Sequence, residues 1–203
     1  MITPLTRFVR LIRSDDSLNA GQGLQEVRML ATAYNDLLEG RDSLMTTAET
    51  DSLTGLPNRY SFEQYTQALG EEAFPVALVL FDVNYLKHTN DTYGHSAGDE
   101  LLRKAAGCIH DCFGGGENKC FRFGGDEFAA VVKRASPELM DRMEIRFLEE
   151  QRNRDLSIAW GYAISEKCSE TSFNKLGEQA DRRMYDCKKE MHLDVSPHED
   201  FRS

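Results

Sequence analysis

The sequence predicts an α/β sandwich in which helices cover a central mixed β-sheet, preceded by a separate N-terminal helix. An unbroken apolar run over 75–81 ends on Asp82 and is typical of a buried strand. Segments with helical spacing alternate with this strand and with later strands, and one hairpin is centred on Gly124 and Gly125. This order of elements favours helices packed on one sheet around a shared core.

The composition describes a globular protein and narrows its function class. The 203 residues are 40% hydrophobic, which supports a buried core, and the formal net charge is −10. Because this charge repels phosphate backbones and no basic cluster offsets it, we expect no binding to nucleic acid. A divalent cation between carboxylates and phosphates would still allow a nucleotide to bind.

The expected location is the cytoplasm. No apolar run approaches the roughly 20 residues of a membrane span, so we expect a soluble chain. The cysteines form no CxxC pair, which favours a reducing compartment over a zinc or disulfide framework. They are Cys108, Cys112, Cys120, Cys168 and Cys187.

An apolar seam with 3-4-3-4 spacing precedes residue 51 and predicts a helix with a partner. Its members are Leu24, Val27, Ala31, Tyr34 and Leu38. A coiled coil between two copies and an amphipathic helix packed on its own domain both remain open. Continuation of the helical sequence to Thr47 favours the coiled coil. We therefore expect residues 1–50 to form a helical linker. The order of Ile2-Thr3-Pro4-Leu5, a helical stretch, a polar connector and the segment 26–38 also resembles HAMP-type signalling linkers.

The later elements follow from local patterns. Gly55 and Pro57 interrupt the helical sequence after Asp51, which places a domain boundary there. The predicted helices cover 60–69, 97–112, 137–150 and 173–191; the predicted strands cover 75–82, two segments within 119–133, and 156–164. We expect one domain over 51–193 and a frayed polar tail over 194–203.

Acidic groups on two separate elements are the first candidates for chemistry. Gly124 and Gly125 form a turn that lets a ligand approach the backbone, and Asp126 and Glu127 follow them. Alone, such a turn indicates only a tight chain reversal. Asp82 at a strand end is equally consistent with a helix cap. Together, carboxylates from the two elements can hold Mg²⁺, with phosphates supplying the remaining oxygens.

Four sequence blocks resemble the GGDEF family of diguanylate cyclases, in the same order along the chain. They are 51–59 (DSLTGLPNR), 81–99 (FDVNYLKHTNDTYGHSAGD), 121–128 (FRFGGDEF) and 180–188 (ADRRMYDCK). Each block is moderately specific, and together they are hard to obtain by chance. The resemblance implies a palm-like, ferredoxin-like nucleotidyl cyclase fold with the glycine turn beside the end of the Asp82 strand.

The resemblance also implies roles for the acidic residues. Asp82 and Asp126 would ligate two Mg²⁺ or Mn²⁺ ions per active site, together with the backbone carbonyl of Val83. Glu127 would lie by the ribose 3′-hydroxyl of GTP, where it orients or deprotonates the nucleophile.

Further residues match substrate contacts of the family. Asn90 and Asp99 match its guanine-binding pair, although Asp99 could equally be a simple helix cap. A carboxylate accepts from the N1 and N2 hydrogens of guanine, and an amide serves O6 or N3. Lys87 and Lys188 match phosphate-binding lysines, and Arg122 is a further candidate near the triphosphate.

The implied reaction joins two GTP molecules into cyclic di-GMP and releases two pyrophosphates. Because each domain holds one GTP, two domains must face each other, and turnover depends on a homodimer. The homodimer would form transiently or through the N-terminal helix, which can set the spacing of the attached domains. A HAMP-type linker would make the chain the cytoplasmic part of a longer membrane receptor with an upstream sensor.

Three features depart from the family pattern. Gly115 and Asn118 replace the charged residues of the RxxD product-inhibition motif, so we expect no feedback through that site. Asn84 stands where many members have a second aspartate, which removes one charge near the metals. His192 replaces an arginine that often helps to hold phosphates, which would weaken triphosphate binding.

Two other classes of function remain open. One is a catalytically silent regulatory module that binds GTP or cyclic di-GMP, and the missing inhibitory motif counts against its dinucleotide form. The other is a dimerisation and signalling module whose helix acts while the attached domain is inert. Metal-dependent turnover of GTP separates the enzyme from both.

Overall fold

The computed structural model describes residue 32, residues 49–166 and residues 170–193. Its internal contacts divide the chain into two compact units, residues 1–48 and residues 49–203. The apolar seam of the predicted N-terminal helix and the predicted polar tail lie outside the described residues. The assignments of a linker over 1–50 and a tail over 194–203 therefore stay predictions.

Five α-helices and four β-strands have both ends in the described ranges, and residues 32 and 49 are also helical. The helices are α1 (Arg59–Gln67), α2 (Leu86–Tyr93), α3 (His95–Phe113), α4 (Pro137–Asn153) and α5 (Glu170–Leu193). The strands are β1 (Val76–Val83), β2 (Lys119–Gly124), β3 (Glu127–Lys133) and β4 (Ile158–Ser165), and a 3₁₀-helix covers Glu71–Ala73. Each helix and strand predicted after residue 51 is confirmed, with its ends shifted by a few residues at most. Among the described helices, none is long and apolar enough to cross a membrane.

Helix α2 is the main element that the sequence did not predict. None of its residues is buried, and it follows Tyr85, whose φ of 64° is left-handed. With only eight residues, α2 is shorter than the roughly 11–18 residues over which helical periodicity can be recognised, so pattern alone does not reveal it. Gly94, with φ 86°, ends α2 and starts α3, and the two helices pack against each other.

The four strands form one sheet in the order β2-β3-β1-β4. All three hydrogen-bonded pairs are antiparallel, so the predicted mixed pairing is wrong. The helical crossovers do make β1 parallel to β2, and β3 parallel to β4. However, a strand of opposite direction lies between the members of each such pair, because β3 returns through the hairpin to lie beside β1. The predicted sandwich of helices on one sheet is confirmed, in the ferredoxin-like βαββαβ order.

Two hydrophobic clusters lie on opposite faces of the sheet, because successive side chains of β1 alternate between them. Phe81 belongs to the cluster shared with α3 and α4, and Leu78 to the cluster shared with α1 and α5. Phe81, Phe113 and Phe147 meet edge to face, with ring centroids 5.0, 5.4 and 5.2 Å apart. Each of these buried rings contributes about 1.5–3 kcal/mol to folding. The two clusters hold β1 in the centre of the domain.

Candidate active site

Asp82 and Glu127 lie directly opposite each other in the β1–β3 ladder. One residue further on, the N–H of Val83 donates to the backbone carbonyl of Asp126 at 3.0 Å. The turn between β2 and β3 is thereby tied to the end of β1. Asp82 and Asp126 are half-buried, and Glu127 is exposed. Backbone pairing thus brings the three predicted catalytic carboxylates to one edge of the sheet.

Gly124 and Gly125 give this turn a backbone that other residues rarely adopt. Their φ angles are 135° and 55°, and the β2–β3 register shifts between Arg122 and Gly124. A Cβ at either glycine would meet open space, so the backbone conformation, not crowding, requires glycine. The same open space leaves the backbone of the turn accessible to a ligand.

Arg122 is buried under the turn, and its guanidinium is already engaged. Nη1 donates to Oδ1 of Asp51 at 2.8 Å, and Nη2 donates to the carbonyl of Gly125 at 2.8 Å. Its backbone N–H donates to the carbonyl of Pro57 at 2.9 Å. These contacts give Arg122 a structural role beneath the turn. Its role near the triphosphate, which the family resemblance implied, stays a prediction.

Asp51 is a residue of this site that sequence reasoning treated only as part of a boundary turn. Its Oδ1 accepts from the N–H of Thr54 at 2.9 Å and from the Thr54 hydroxyl at 2.6 Å, in addition to Arg122. Burial alone raises the pKa of Asp51, but hydrogen bonds from Thr54 and Arg122 outweigh burial and hold the pKa below its ordinary value. An arginine inside a predicted buried strand was the signal that a carboxylate partner existed.

Helix α5 brings one of the predicted phosphate-binding lysines to the acidic edge. Nζ of Lys188 donates to Oδ1 of Asp82 at 2.7 Å, although 106 residues separate them in sequence. Lys188 is half-buried and still reaches solvent. The side chain of Lys87 on α2 is exposed and forms no hydrogen bond or ion pair with another described residue. The structure places Lys188 in the site and leaves Lys87 free to turn towards a ligand.

Asn84 is buried just after β1, at the same edge. Its Nδ2 donates to Oγ of Ser157 at 3.0 Å and to Sδ of Met191 at 3.4 Å. Its Oδ1 is buried without a hydrogen-bond partner among the described residues. An ionised carboxylate loses more solvation than an amide in such a place, so the neutral asparagine suits this packing. The side chain of His192 lies outside the described part, and its expected effect stays a prediction.

The positions of the missing inhibitory motif have structural contacts instead. Gly115 and Asn118 form an isolated β-bridge in the loop before β2. Oδ1 of Asn118 accepts from the N–H of Lys133 at 3.0 Å, which anchors that loop to the end of β3. Neither residue offers a charge to a dinucleotide.

The predicted guanine-binding residues lie on two helices joined by Gly94. Asn90 is on α2, and Asp99 is on the second turn of α3. Because α3 begins at His95, Asp99 lies inside the helix, and its alternative role as a helix cap is wrong. Both side chains are half-buried, and neither hydrogen-bonds to another described residue. Their polar groups therefore stay available to a base.

Asp82 and Asp126 fit a cation that arrives with a nucleotide better than a preformed metal centre. Within the described residues, no group of three or more His, Cys, Asp or Glu side chains could hold an ion. Mg²⁺ in nucleotide enzymes commonly uses one or two carboxylates and takes its other ligands from phosphates and water. Two half-buried carboxylates at one sheet edge match that donor set.

The described cysteines belong to the core and not to this site. Cys108, Cys112 and Cys120 are buried, and Cys187 is half-buried. Burial raises the pKa of Cys120 to about 12. This thiol therefore stays protonated and does not act as a nucleophile.

Comparisons with known proteins identify the same domain. Residues 48–193 match the family model described as "Diguanylate cyclase, GGDEF domain". Diguanylate cyclase DgcN of Escherichia coli strain K12 is 30% identical over an alignment of 211 positions, gaps included, which covers 92% of this chain and 51% of DgcN. Cyclic di-GMP phosphodiesterase PdeR of the same strain is 32% identical over 140 residues, which cover 66% of this chain and 21% of PdeR. The chain thus spans about half the length of DgcN and a fifth of PdeR.

A solved structure shares the fold. The coiled coil and GGDEF domain of DgcB from Caulobacter crescentus, crystallised with c-di-GMP, align with a TM-score of 0.70 at 24% identity. The alignment covers 81% of this chain and 94% of the DgcB chain. The family match covers more than half of the chain and includes the end of β1, the glycine turn and α5. The chain therefore belongs to the GGDEF-domain family of diguanylate cyclases.

Proposed function

We propose that this chain is an active diguanylate cyclase that condenses two GTP molecules into cyclic di-GMP and two pyrophosphates. One observation carries the proposal: backbone pairing holds Asp82, Asp126 and Glu127 at one edge of the sheet. Carboxylates from separate elements at one edge suit phosphoryl transfer, because they gather the cations that nucleotide phosphates require.

Asp82 and Asp126 would hold two Mg²⁺ or Mn²⁺ ions, helped by the backbone carbonyl of Val83. When bound, the ions would offset the negative charge that develops on the α-phosphate and on the leaving pyrophosphate. Lys188 would donate to phosphate oxygens from its place beside Asp82. Its positive charge also reduces the repulsion between the carboxylates and an incoming triphosphate.

Glu127 is the residue placed to act on the nucleophile. It is exposed at the start of β3, opposite Asp82. In the proposed reaction, Glu127 accepts the proton of the ribose 3′-hydroxyl of one GTP, and the hydroxyl oxygen attacks the α-phosphorus of the other GTP. The bond from that phosphorus to the bridging oxygen breaks, and pyrophosphate leaves with the electron pair. A second, symmetric attack closes the ring.

Selectivity for guanine would come from Asn90 and Asp99. The Asp99 carboxylate would accept from the N1 and N2 hydrogens of guanine, which adenine lacks at both positions. The Asn90 amide would serve O6 or N3 of the same base. The support for this assignment is that both side chains are half-buried and hydrogen-bond to no other described residue.

The proposed enzyme works as a homodimer, since each domain holds one GTP and the reaction joins two. The predicted N-terminal coiled coil would keep two domains at a suitable spacing. We further propose that the domain acts in the cytoplasm as the output of a longer protein that carries a sensor. The support is that the matched part covers only 51% of DgcN.

A catalytically silent module that binds GTP or cyclic di-GMP is the second candidate. The observation that favours it is the match to PdeR, a protein named for a cyclic di-GMP phosphodiesterase activity. A domain of this family therefore occurs in proteins with a different named activity. The grouping of Asp82, Asp126 and Glu127 at one edge favours the cyclase.

The deciding experiment incubates the 203-residue chain with GTP and Mg²⁺ over a range of protein concentrations. Cyclic di-GMP and pyrophosphate are quantified by chromatography. Asp126→Ala is the test variant, and Asp141→Ala, which removes an exposed aspartate on α4, is the matched control. A dimer-dependent cyclase forms product at a rate that rises faster than linearly with protein, is lost in Asp126→Ala and is kept in Asp141→Ala.

The other outcomes are equally informative. Bound GTP without product at any protein concentration would assign the chain to the silent module. Undiminished product from Asp126→Ala would place the chemistry outside the glycine turn. A strictly linear dependence on protein concentration would indicate a dimer that is already complete throughout the range or an active monomer, which sedimentation analysis separates.

A further inference from the structure

Gly98 occupies a position of α3 where almost any other residue would stabilise the helix more than glycine does. It is the fourth residue of α3 and is buried. Glycine is less favourable inside a helix than every residue except proline. Its φ lies outside the left-handed range, so its backbone conformation is open to any residue. The reason for glycine at this position must therefore be space.

The space beside Gly98 is filled by the side chain of Asn90. A Cβ built on Gly98 would lie 2.8 Å from Cγ of Asn90, closer still to its Oδ1, and 3.2 Å from Cδ1 of Leu86. Carbon atoms in favourable contact are about 3.5–4.0 Å apart. The missing Cβ thus lets the amide of Asn90 lie against the backbone of α3.

Little else in the described structure holds the Asn90 amide. It forms no hydrogen bond with another described residue, and α2 contains no buried residue. Packing against Gly98 is therefore a contact that restricts where this amide points. A methyl group at residue 98 would force the side chain into another rotamer or push α2 away from α3.

We infer that Gly98 is a positioning residue that determines guanine specificity, because it sets the place of the Asn90 amide relative to Asp99. The inference rests on the proposed function, in which Asn90 and Asp99 bind the base. Gly98 and Asp99 are neighbours in α3, so a methyl group at 98 displaces Asn90 from the segment that carries Asp99. Two groups that bind one planar base need their spacing held within about 0.5 Å.

Gly98→Ala tests the inference, with Gly107→Ala as its matched control. Gly107 lies in the same helix, and a Cβ there would be 3.4 Å from Nη1 of Arg154, at the end of a flexible side chain. The probes are GTP and ATP analogues with a methylene group between the α- and β-phosphates, titrated with Mg²⁺ into the full chain by calorimetry. These analogues cannot release pyrophosphate, so affinity is measured without turnover.

Gly98→Ala is expected to bind the guanine analogue about three- to tenfold more weakly, the effect of losing one neutral hydrogen bond. Its preference for the guanine analogue over the adenine analogue narrows as well, the result of displacing an amide that donates to O6, since adenine carries an amino group at that position. Gly107→Ala binds both analogues like the wild type. Equal affinity of Gly98→Ala and the wild type for the guanine analogue would overturn the inference and leave the proposed function standing.

Asn90→Ala and the double variant separate positioning from general support of the fold. Removing the Asn90 amide removes the atoms that the new methyl group displaces. If Gly98 acts through Asn90, the double variant binds the guanine analogue within about twofold of Asn90→Ala. If the double variant loses affinity by the product of the two single-variant factors, Gly98 acts independently of Asn90, and the inference is overturned.

Two further outcomes are defined. If Gly98→Ala alone is too unstable to titrate, thermal unfolding of the double variant replaces the affinity measurement. Recovery of the melting temperature in the double variant supports the clash with Asn90, and no recovery refutes it. If the wild type binds neither analogue, the proposed guanine site fails, and this inference fails with it.

Discussion

The guanidinium of Arg122 donates to the carboxylate of Asp51 at 2.8 Å, across 71 residues of sequence. The side chains are 8% and 20% exposed, so the ion pair is largely removed from water. Arg122 also holds the carbonyl of Gly125. The pair therefore connects the start of the domain to the turn that carries Asp126.

Asp51→Ala is expected to lower the free energy of unfolding by about 3 kcal/mol, because it leaves a buried guanidinium without its counter-charge. Equilibrium unfolding in urea measures the loss. Glu117→Ala is the control, since it breaks the 3.4 Å pair between Arg134 and Glu117, whose side chains are 71% and 55% exposed. A surface pair contributes about 1 kcal/mol or less. Equal losses of unfolding free energy in Asp51→Ala and Glu117→Ala would show that burial does not make the Asp51–Arg122 pair more stabilising than a surface pair.

The same pair predicts a pH dependence of stability. Burial raises the pKa of Asp51, but the hydrogen bonds from Thr54 and Arg122 outweigh it and place the pKa below 3.8. Because the folded-state pKa lies below the unfolded one, the stabilisation is fully present above about pH 5 and is lost as pH falls through the folded-state pKa. The difference in stability between the wild type and Asp51→Ala, measured in urea at decreasing pH, should begin to shrink below about pH 5 and continue to shrink as pH falls through the folded-state pKa. A difference that stays constant down to acidic pH would contradict this assignment.

Gly161→Ala should destabilise the contact between β4 and α5. A Cβ on Gly161 would lie 2.7 Å from the carbonyl carbon of Arg183 and closer still to backbone atoms of Ala180 and Met184. Backbone cannot move aside as a side chain can, so we expect a loss of about 1–3 kcal/mol in thermal unfolding.

Gly177→Ala is the matched control on α5. A Cβ there would lie 4.0 Å from Cδ2 of Leu78, an ordinary contact. Alanine has a higher helix propensity than glycine, so this variant should keep or raise the melting temperature. If both variants melt alike, the close approach at Gly161 does not limit stability.

Lys188→Ala should reduce kcat/KM for GTP by about 10- to 100-fold, the range for loss of a hydrogen bond to a charged group. Its ammonium group lies 2.7 Å from Asp82 and is the proposed donor to the triphosphate. Lys189→Ala is the control, because the Lys189 ammonium group lies over the ring of Tyr185 at 4.1 Å. Steady-state kinetics compares the two variants. Similar kcat/KM values for the two variants would show that Lys188 pairs with Asp82 without contributing to the binding of GTP.

Local pattern in the sequence determined most of the secondary structure and the family. The apolar run before Asp82 and the helical spacing of α3, α4 and α5 are properties of neighbouring residues, and they predicted elements that the structure contains. Four blocks of sequence identified the family that the comparisons show. Helix α2 was not predicted because its eight residues are fewer than the roughly 11–18 over which helical periodicity can be recognised.

Tertiary structure alone decided which of these residues meet. The antiparallel pairing depends on where β3 inserts, and this is a property of the whole sheet. The partners of Arg122 and Lys188 lie 71 and 106 residues away in sequence, and the space beside Gly98 is shaped by Asn90 on another helix. Such contacts are set by sheet order and helix packing, which arise from the burial of many side chains together and leave no local pattern in the sequence.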